Sequence, residues 1–464
     1  MPDLNLPPPM EALRADLGTV VAGIETHAPY GAALLSARQG LQILVDNREE
    51  RVTEQAPTAG TVLTAFDGVT MHERALGGFD RAVVERAAHY LVQGVAFARG
   101  TPIAPGPERR GDFVTSAQIP SHSLSIEDKL DRCRDLQRRL RARDARIVNA
   151  RVAYNEASEL SVFCNRAADL AQRVQRLSLH IVVMVAGADG VRYDFQSKSA
   201  TGGWETLVFR DDELQATVDN AIALLGAERI EPGEYTVITA PGVTGTICHE
   251  SFGHGVETDM FLKERAKAAR FIEHPVGSPL VNIWDDPSCS GAFGSYFFDH
   301  EGMLAAPAQI VEDGIFRHGI TDLYSATALG LSRTANGRRQ DYSRKAYARM
   351  SNTFFASGTT PVADLFAQVD HGIYLERWSS GMEDPQGWGI QVTCHFGREI
   401  RNGKVTGRLF APIGISGYVP DVLQSISAVG NDWLLDGGGC GKGHKELVSV
   451  SSGGPHLLLK ARLG

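Results

Sequence analysis

A chain of 464 residues with 43% hydrophobic and 22% charged residues has the composition of a soluble globular protein, with room for about three domains. Its formal net charge of −9, from 46 basic and 55 acidic residues, argues against broad nucleic-acid binding, and its longest apolar run, Ile181 to Ala188, is too short to span a bilayer. Six scattered cysteines with no Cys-x-x-Cys pair argue against a disulfide framework, and Met1-Pro2-Asp3-Leu4-Asn5 shows neither the basic nor the apolar part of an export signal, so a cytoplasmic protein is expected.

The patterning predicts a helix over 9–25, short strands between Leu41 and His72, and a helix from Arg81 to about Ala98. Thr101 to Pro120 holds four prolines, at 102, 105, 107 and 120, and reads as a linker or long loop. A helix from Ile126 to Arg143 follows, with Ser125 and Asp128 at capping-box spacing and an apolar stripe of Ile126, Leu130, Cys133 and Leu140. Its many arginines alternate with Asp131, Asp135 and Asp144, as on a solvated mixed-charge face. Strand-like runs come next at Ile147–Tyr154, Leu160–Cys164, Leu179–Val185 and Tyr193–Ser197, then a helix over about Asp212–Leu225. The order helix, strands, helix thus occurs twice. From about Gly233 the chain turns glycine-rich and strand-rich, as in Gln391–Phe396 and Leu447–Val450. The expected fold is α+β: an N-terminal unit over 1–100, a linker over 101–120, a second α+β unit over 121–232, and a mainly β domain over 233–464 built around one metal-binding helix.

That helix carries the most specific chemistry in the chain, His249-Glu250-Ser251-Phe252-Gly253-His254, directly after the strand-like Tyr235–Thr239 and the turn Pro241-Gly242. Neutral imidazoles bind zinc, and an adjacent carboxylate can take a proton from water activated by the ion. Residues five apart point about 140° from each other on a regular helix, so both rings reach one ion only through a π-bulge or a helix opened near Gly253. Two histidines leave a catalytic site one ligand short. Glu257 could face the site or orient a ligand, or be an exposed helix carboxylate. Cys440, in Asp436-Gly437-Gly438-Gly439-Cys440-Gly441-Lys442-Gly443-His444, is the stronger candidate, with His444 an alternative from the same loop. The Gly-Lys pair in that loop fails as a phosphate loop, because Asp436 and Gly443 stand where Gly and Ser or Thr are needed. Cys133, Cys164, Cys248, His395 and His456 read as ordinary packed residues.

In order along the chain stand His249 to Glu257 followed by Asp259, Ser278-Pro279-Leu280-Val281 leading to Asp285-Asp286, Asp299-His300-Glu301-Gly302, Arg349-Met350-Ser351-Asn352-Thr353, and Gly439-Cys440-Gly441-Lys442. On these motifs the chain resembles the TldD/PmbA family of zinc peptidases, specifically its metal-bearing TldD type, weakly before residue 120 and strongly from about 230. The resemblance implies that His249, His254 and Cys440 are zinc ligands and Glu250 the general base. It implies a dimer around an internal chamber, either a homodimer or a heterodimer with a sister type that lacks the metal ligands. It also implies peptide or unfolded polypeptide substrates. Two departures are visible: the loop after Lys442 is shortened, and His300 interrupts the acidic pair at 299 and 301. Arg349 and Asn352 are read as fixing local turns. The expectation is a Zn2+-dependent peptidase with no nucleic-acid or membrane partner; the alternatives are a non-catalytic partner subunit of a peptidase complex, or a metal-dependent amidohydrolase acting on small molecules.

Overall fold

The computed structural model describes residues 4–93, 103–443 and 446–464, so His444 and the end of the helix expected to reach Ala98 lie outside the described residues. The fold is α+β. Its N-terminal part has the order α1 (Pro8–Glu25), β1 (Tyr30–Val45), β2 (Glu50–Phe66), β3 (Met71–Gly77), α2 (Arg81–Val92), β4 (Arg109–Val114), α3 (Ile126–Arg141), β5 (Ile147–Asn165), β6 (Ala168–Gly187), β7 (Gly190–Thr201) and α4 (Asp211–Ala223).

These strands form one sheet, which runs through both of the expected N-terminal units. The order is β3-β2-β1-β5-β6, with β4 and β7 sharing the outer edge of β6. Antiparallel pairing of β1 with β5 runs from Ala32↔Asn165 to Val45↔Val152 and welds the two halves together. Part of the proline-rich stretch, Arg109–Val114, is itself a strand, parallel to β6. The physical cause is the length of the hairpins. The 147–154 and 160–164 runs are one strand, because the polar residues between them have partners: Glu156 takes Lys129 at 2.9 Å, and Glu159 takes Arg38 and Arg176.

Alternation along the strands separates two buried faces. Ala33, Leu35, Ile43, Val152, Val162, Ile181 and Val183 meet the apolar stripes of the four helices, which include Leu13 and Leu17 of α1, Ala87 of α2, Leu136 and Leu140 of α3, and Leu214 and Val218 of α4. Ser125 and Asp128 form the capping box of α3, while Ile126 in its first turn is exposed. The arginines of α3 point outward into ion pairs: Arg134 with Glu50, Glu127 and Asp131, and Arg139 with Asp211. The other face, with Leu34, Val62, Phe163 and Leu170, packs on Phe298 and Leu323 of the C-terminal part. Gln172 and Arg176 fasten that seam by donating to the Phe298, Phe293 and Ser295 carbonyls at 2.9, 2.8 and 2.7 Å.

The C-terminal part is two large sheets with a helix between them, and a short two-stranded pair, Gly337–Arg338 with Tyr347–Ala348. In the first, β8 (Gly233–Thr239) lies between the parallel His371–Asp384 strand and the antiparallel Leu457–Leu463 strand. The second ends on the antiparallel pair Glu446–Gly454 and Leu434–Lys442, the latter at the sheet edge. The helix α5 (Pro241–Phe252) follows β8 after one residue, with Pro at its first position. Its Val243, Ile247, Cys248 and Phe252 are all buried at 0–1% exposure, and Thr244, Thr246 and Ser251 are buried beside them, so this helix is covered on nearly every side, as one enclosed by two sheets must be. Burial of that set contributes on the order of 1.5–3 kcal/mol per large side chain and fixes the register of the residues that follow it. Among the described residues no helix is long and apolar enough to cross a membrane.

Candidate metal centre

His249 lies in the last turn of α5 and Glu250 beside it. The helix ends at Phe252, Gly253 takes φ −100° and ψ −79°, and a tight turn of 3-10 helix begins at His254. This break, and no π-bulge, swings His254 back toward His249. Gly253 has no alternative there: a Cβ on it would collide with the Met350 sulfur and the His249 carbonyl. The two imidazoles end with centroids 5.1 Å apart and planes at 89°.

The third member arrives from almost two hundred residues away. Cys440 sits near the end of the edge strand Leu434–Lys442, with its Sγ 3.2 Å from His254 Nε2. The ligand atoms of His249, His254 and Cys440 all lie within 4.8 Å of one another, and among the described residues this is the one such group of three. The glycine run before Cys440 is strand, not turn. Gly437, Gly438 and Gly439 pair with Ser451, Val450 and Ser449, and the turn comes later, at Gly443 with φ 63°. Glycine is required at 437 because Ser199 and Phe293 press against its α-carbon. Its N–H donates to Ser199 Oγ at 3.0 Å, which ties the strand to β7.

The donor set fits zinc. Two imidazole nitrogens and one thiolate are borderline-soft ligands, and donors around a tetrahedral zinc stand about 3.5 Å apart, close to the sulfur–nitrogen spacing found. Burial raises the Cys440 thiol, but His249 and His254 more than offset it and hold the thiol well below its ordinary value. His254 is raised well above its ordinary value: burial opposes this, and Glu257 and Cys440 prevail. Cys248, one residue before His249, faces the core, and burial pushes its thiol well up.

Glu257 stands behind these three residues. Its buried carboxylate lies 3.3 Å from His254 Nδ1, 3.2 Å from Arg349 Nε and 3.0 Å from Lys442 Nζ. Burial would raise this carboxyl, yet Lys442, His254 and Arg349 hold it far below the usual range. It therefore orients His254 through Nδ1 and leaves Nε2 for the metal side. Arg349 does more than fix a turn: its Nη2 donates to the Cys440 carbonyl at 2.9 Å and approaches Cys440 Sγ to 3.1 Å, so it positions the thiolate. Asn352 does belong to local structure, donating to the Asp286 carbonyl and Ser295 Oγ and accepting from Gly294 N.

Glu250 opens on the same cavity of about 560 Å³ that the ligands line. Burial pushes its carboxyl above the ordinary value, against the pull of His249 and His254. Gly381, on the opposite strand, leaves the room it occupies; a Cβ there would meet the Glu250 side chain at 2.5 Å. Two site residues escaped sequence reasoning. Lys442 stands in the sequence as half of a failed phosphate loop and as the end of the Gly439-Cys440-Gly441-Lys442 motif, with no sign that it binds Glu257 and Asp259. Glu383 carried no signal at all. Both of its carboxylate oxygens are buried without a hydrogen-bond partner of good geometry among the described residues, although the Gly255 amide is near, and burial pushes the acid well above its ordinary value.

Comparison with known proteins agrees with this architecture. Residues 232–462 match the PmbA/TldA metallopeptidase C-terminal domain, and residues 119–228 match its central domain. A metalloprotease of Methanothermobacter thermautotrophicus is 31% identical over 318 residues, 68% of this chain and 69% of its own. A zinc metalloprotease TldD homolog of Saccharolobus solfataricus is 30% identical over 61% of this chain and 63% of its own. Among solved structures, a protein from Thermotoga maritima named as a candidate modulator of a DNA gyrase superposes with TM-score 0.80 at 18% identity, over 98% of this chain and all of its own.

Proposed function

The chain belongs to the TldD/PmbA metallopeptidase family, and from that premise and the geometry of the site we propose that it is a zinc-dependent peptidase. The observation that carries this reading is the convergence of His249, His254 and Cys440 from two distant segments beside a buried, otherwise uncommitted carboxylate, Glu250. His249 and His254 would hold the ion through imidazole nitrogens and Cys440 through its thiolate. When bound, zinc supplies Lewis-acid chemistry toward a carbonyl oxygen and water. The remaining work falls to the protein. Glu250 takes a proton from the attacking water on a carboxylate oxygen and returns it to the departing amine. Glu257 and Arg349 keep His254 and the Cys440 sulfur aimed inward.

A peptide would bind as an extended segment along the outer edge of the Leu434–Lys442 strand beyond Gly437, whose N–H Ser199 already takes, and main-chain hydrogen bonds there would give tolerance of sequence. A cytoplasmic enzyme, dimeric with itself or with a sister chain, belongs to the same proposal. A non-catalytic partner subunit is the competing reading, and Glu250 speaks against it, since a structural metal site has no use for a buried base. Glu250→Gln separates the two. The variant is expected to bind zinc like the parent and to hydrolyse casein or short peptides about 10²–10⁴-fold more slowly. Hydrolysis at the parental rate refutes the assignment.

A further inference from the structure

A second cavity, of about 420 Å³, lies between the Leu434–Lys442 strand and the face of the N-terminal sheet turned toward it. Gly438 and Gly439 line both this cavity and the catalytic one. With no side chain at either position, only backbone separates the two chambers.

The second chamber is short of negative charge. Arg38 lies 3.6 Å from Glu159, which Arg176 also engages, and Arg339 pairs with Glu73. Arg338, 6% exposed, has no carboxylate partner among the described residues; it donates to the Met350 and Ser449 carbonyls at 2.5 and 2.8 Å. Arg38, Arg338 and Arg339 line the chamber and Arg176 lies behind Glu159, so four guanidinium groups stand against three carboxylates, Glu159, Glu73 and Asp341. Asp341 at the rim is occupied by its own turn, accepting from the N–H and hydroxyl of Ser343 at 2.8 and 2.6 Å. Burial and the charges of Arg338 and Arg339 push the His300 imidazole down to about 3, so it adds no cation but registers the positive field. It accepts the Arg339 N–H at 2.8 Å. The Nε atom of Arg339 is buried with no hydrogen-bond acceptor, and that of Arg38 meets Glu159 only at 3.6 Å, beyond hydrogen-bond range. Ser161, Ser178 and Ser199 bring hydroxyls to the same walls. Arg338 and Arg339 are buried, and buried cation in excess with unused donors is unfavourable unless an anion completes it.

We propose that this chamber binds a carboxylate, the C-terminus or an acidic side chain of a peptide whose backbone passes Gly438 and Gly439 in the catalytic cavity. The identity of the ligand as a peptide rests on the peptidase reading; the preference for a carboxylate rests on the chamber alone. Planar carboxylate matches the forked donors of arginine, and its position beyond the glycine wall would favour short peptides that present that group to the chamber.

The test uses zinc-loaded Glu250→Gln protein, so that binding is read without turnover. Fluorescein-labelled tetra-alanine is compared by anisotropy as the free acid, as the carboxamide, and as a carboxamide ending in Glu. The free acid is expected to bind about tenfold or more tighter than the plain carboxamide, the gain typical of charge-assisted hydrogen bonds. Recovery of that gain by the Glu carboxamide identifies a side chain as an accepted source; no recovery identifies the C-terminus as the source. Adding Arg38→Gln, at a partly exposed position whose ion-pair partner Glu159 keeps Arg176, is expected to reduce the gain to less than about threefold while leaving the carboxamide unchanged. Glutarate binding, read by calorimetry on wild-type protein and lost in Arg38→Gln, supports the chamber independently of any peptidase activity. Equal binding of the free acid and both carboxamides, or a gain that survives Arg38→Gln, overturns the proposal. A peptide that binds in this way yet is never cleaved by wild-type protein counts against the peptidase reading alone.

Discussion

Replacing Glu257 by Gln removes one charge and almost no volume at a position that is 1% exposed. In the parent that carboxylate faces His254 Nδ1, Arg349 Nε and Lys442 Nζ at 3.3, 3.2 and 3.0 Å. The amide keeps one acceptor and brings two donors toward groups that are already donors. Arg349, 1% exposed, and the mostly buried Lys442 then lose an anion at this point, and Lys442 retains Asp259. Breaking a buried pair from one side costs about 3–5 kcal/mol, and the retained Asp259 places this case toward the lower end. The loss of orientation at His254 is expected to weaken zinc binding by about 10–100-fold. Competition with a chromophoric chelator measures the affinity, and urea unfolding of the metal-free protein measures stability. Zinc affinity within twofold of the parent would show that Glu257 does not position His254, and the reasoning about the groups behind the ligands would fall with it.

Gly253→Ala places a methyl group against the Met350 sulfur and the His249 carbonyl, so the break that aims His254 cannot form as it stands; destabilisation of about 1–3 kcal/mol together with loss of zinc is expected, and a variant that retains stoichiometric zinc contradicts the role given to the glycine. Gly381→Ala pushes on Glu250 without touching a ligand, so hydrolysis should fall by an order of magnitude or more while zinc content stays that of the parent; loss of zinc together with activity would place the effect elsewhere. Burial, with Asp322 and Asp299 adding repulsion, pushes the Glu301 carboxyl from 4.5 up to about 8. Between those values the native state holds a proton that the unfolded chain releases, so stability falls as pH rises from about 4.5 to about 8, by at most about 1.4 kcal/mol per pH unit. Glu301→Gln should flatten that slope in unfolding measured from pH 5.5 to 8, and an unchanged slope would contradict the assignment.

Local chemistry made some parts legible in the sequence. Ser125 and Asp128 marked the start of α3, Pro241 the start of α5, and Gly253 the place where the His249–His254 offset had to be absorbed, because each signal depends on a few neighbouring residues. What stayed hidden depends on residues far apart. Nothing in Tyr30–Val45 announces pairing with Ile147–Asn165, and the polar centre of β5 concealed a continuous strand whose partners, Lys129, Arg38 and Arg176, lie on other elements. The glycine run before Cys440 suggested a turn, since the residues that make glycine necessary there, Ser199 and Phe293, are distant in the chain. Arg349 looked like a turn residue for the same reason: its contacts with Glu257 and Cys440 exist only once three segments have met.

X-ray absorption at the zinc edge of the purified protein addresses the ligand set directly. A first shell with two nitrogen neighbours from histidine and one sulfur at about 2.3 Å is expected, with the sulfur lost in Cys440→Ser. A shell without sulfur in the parent, or one unchanged by Cys440→Ser, would mean that the two distant segments do not share an ion.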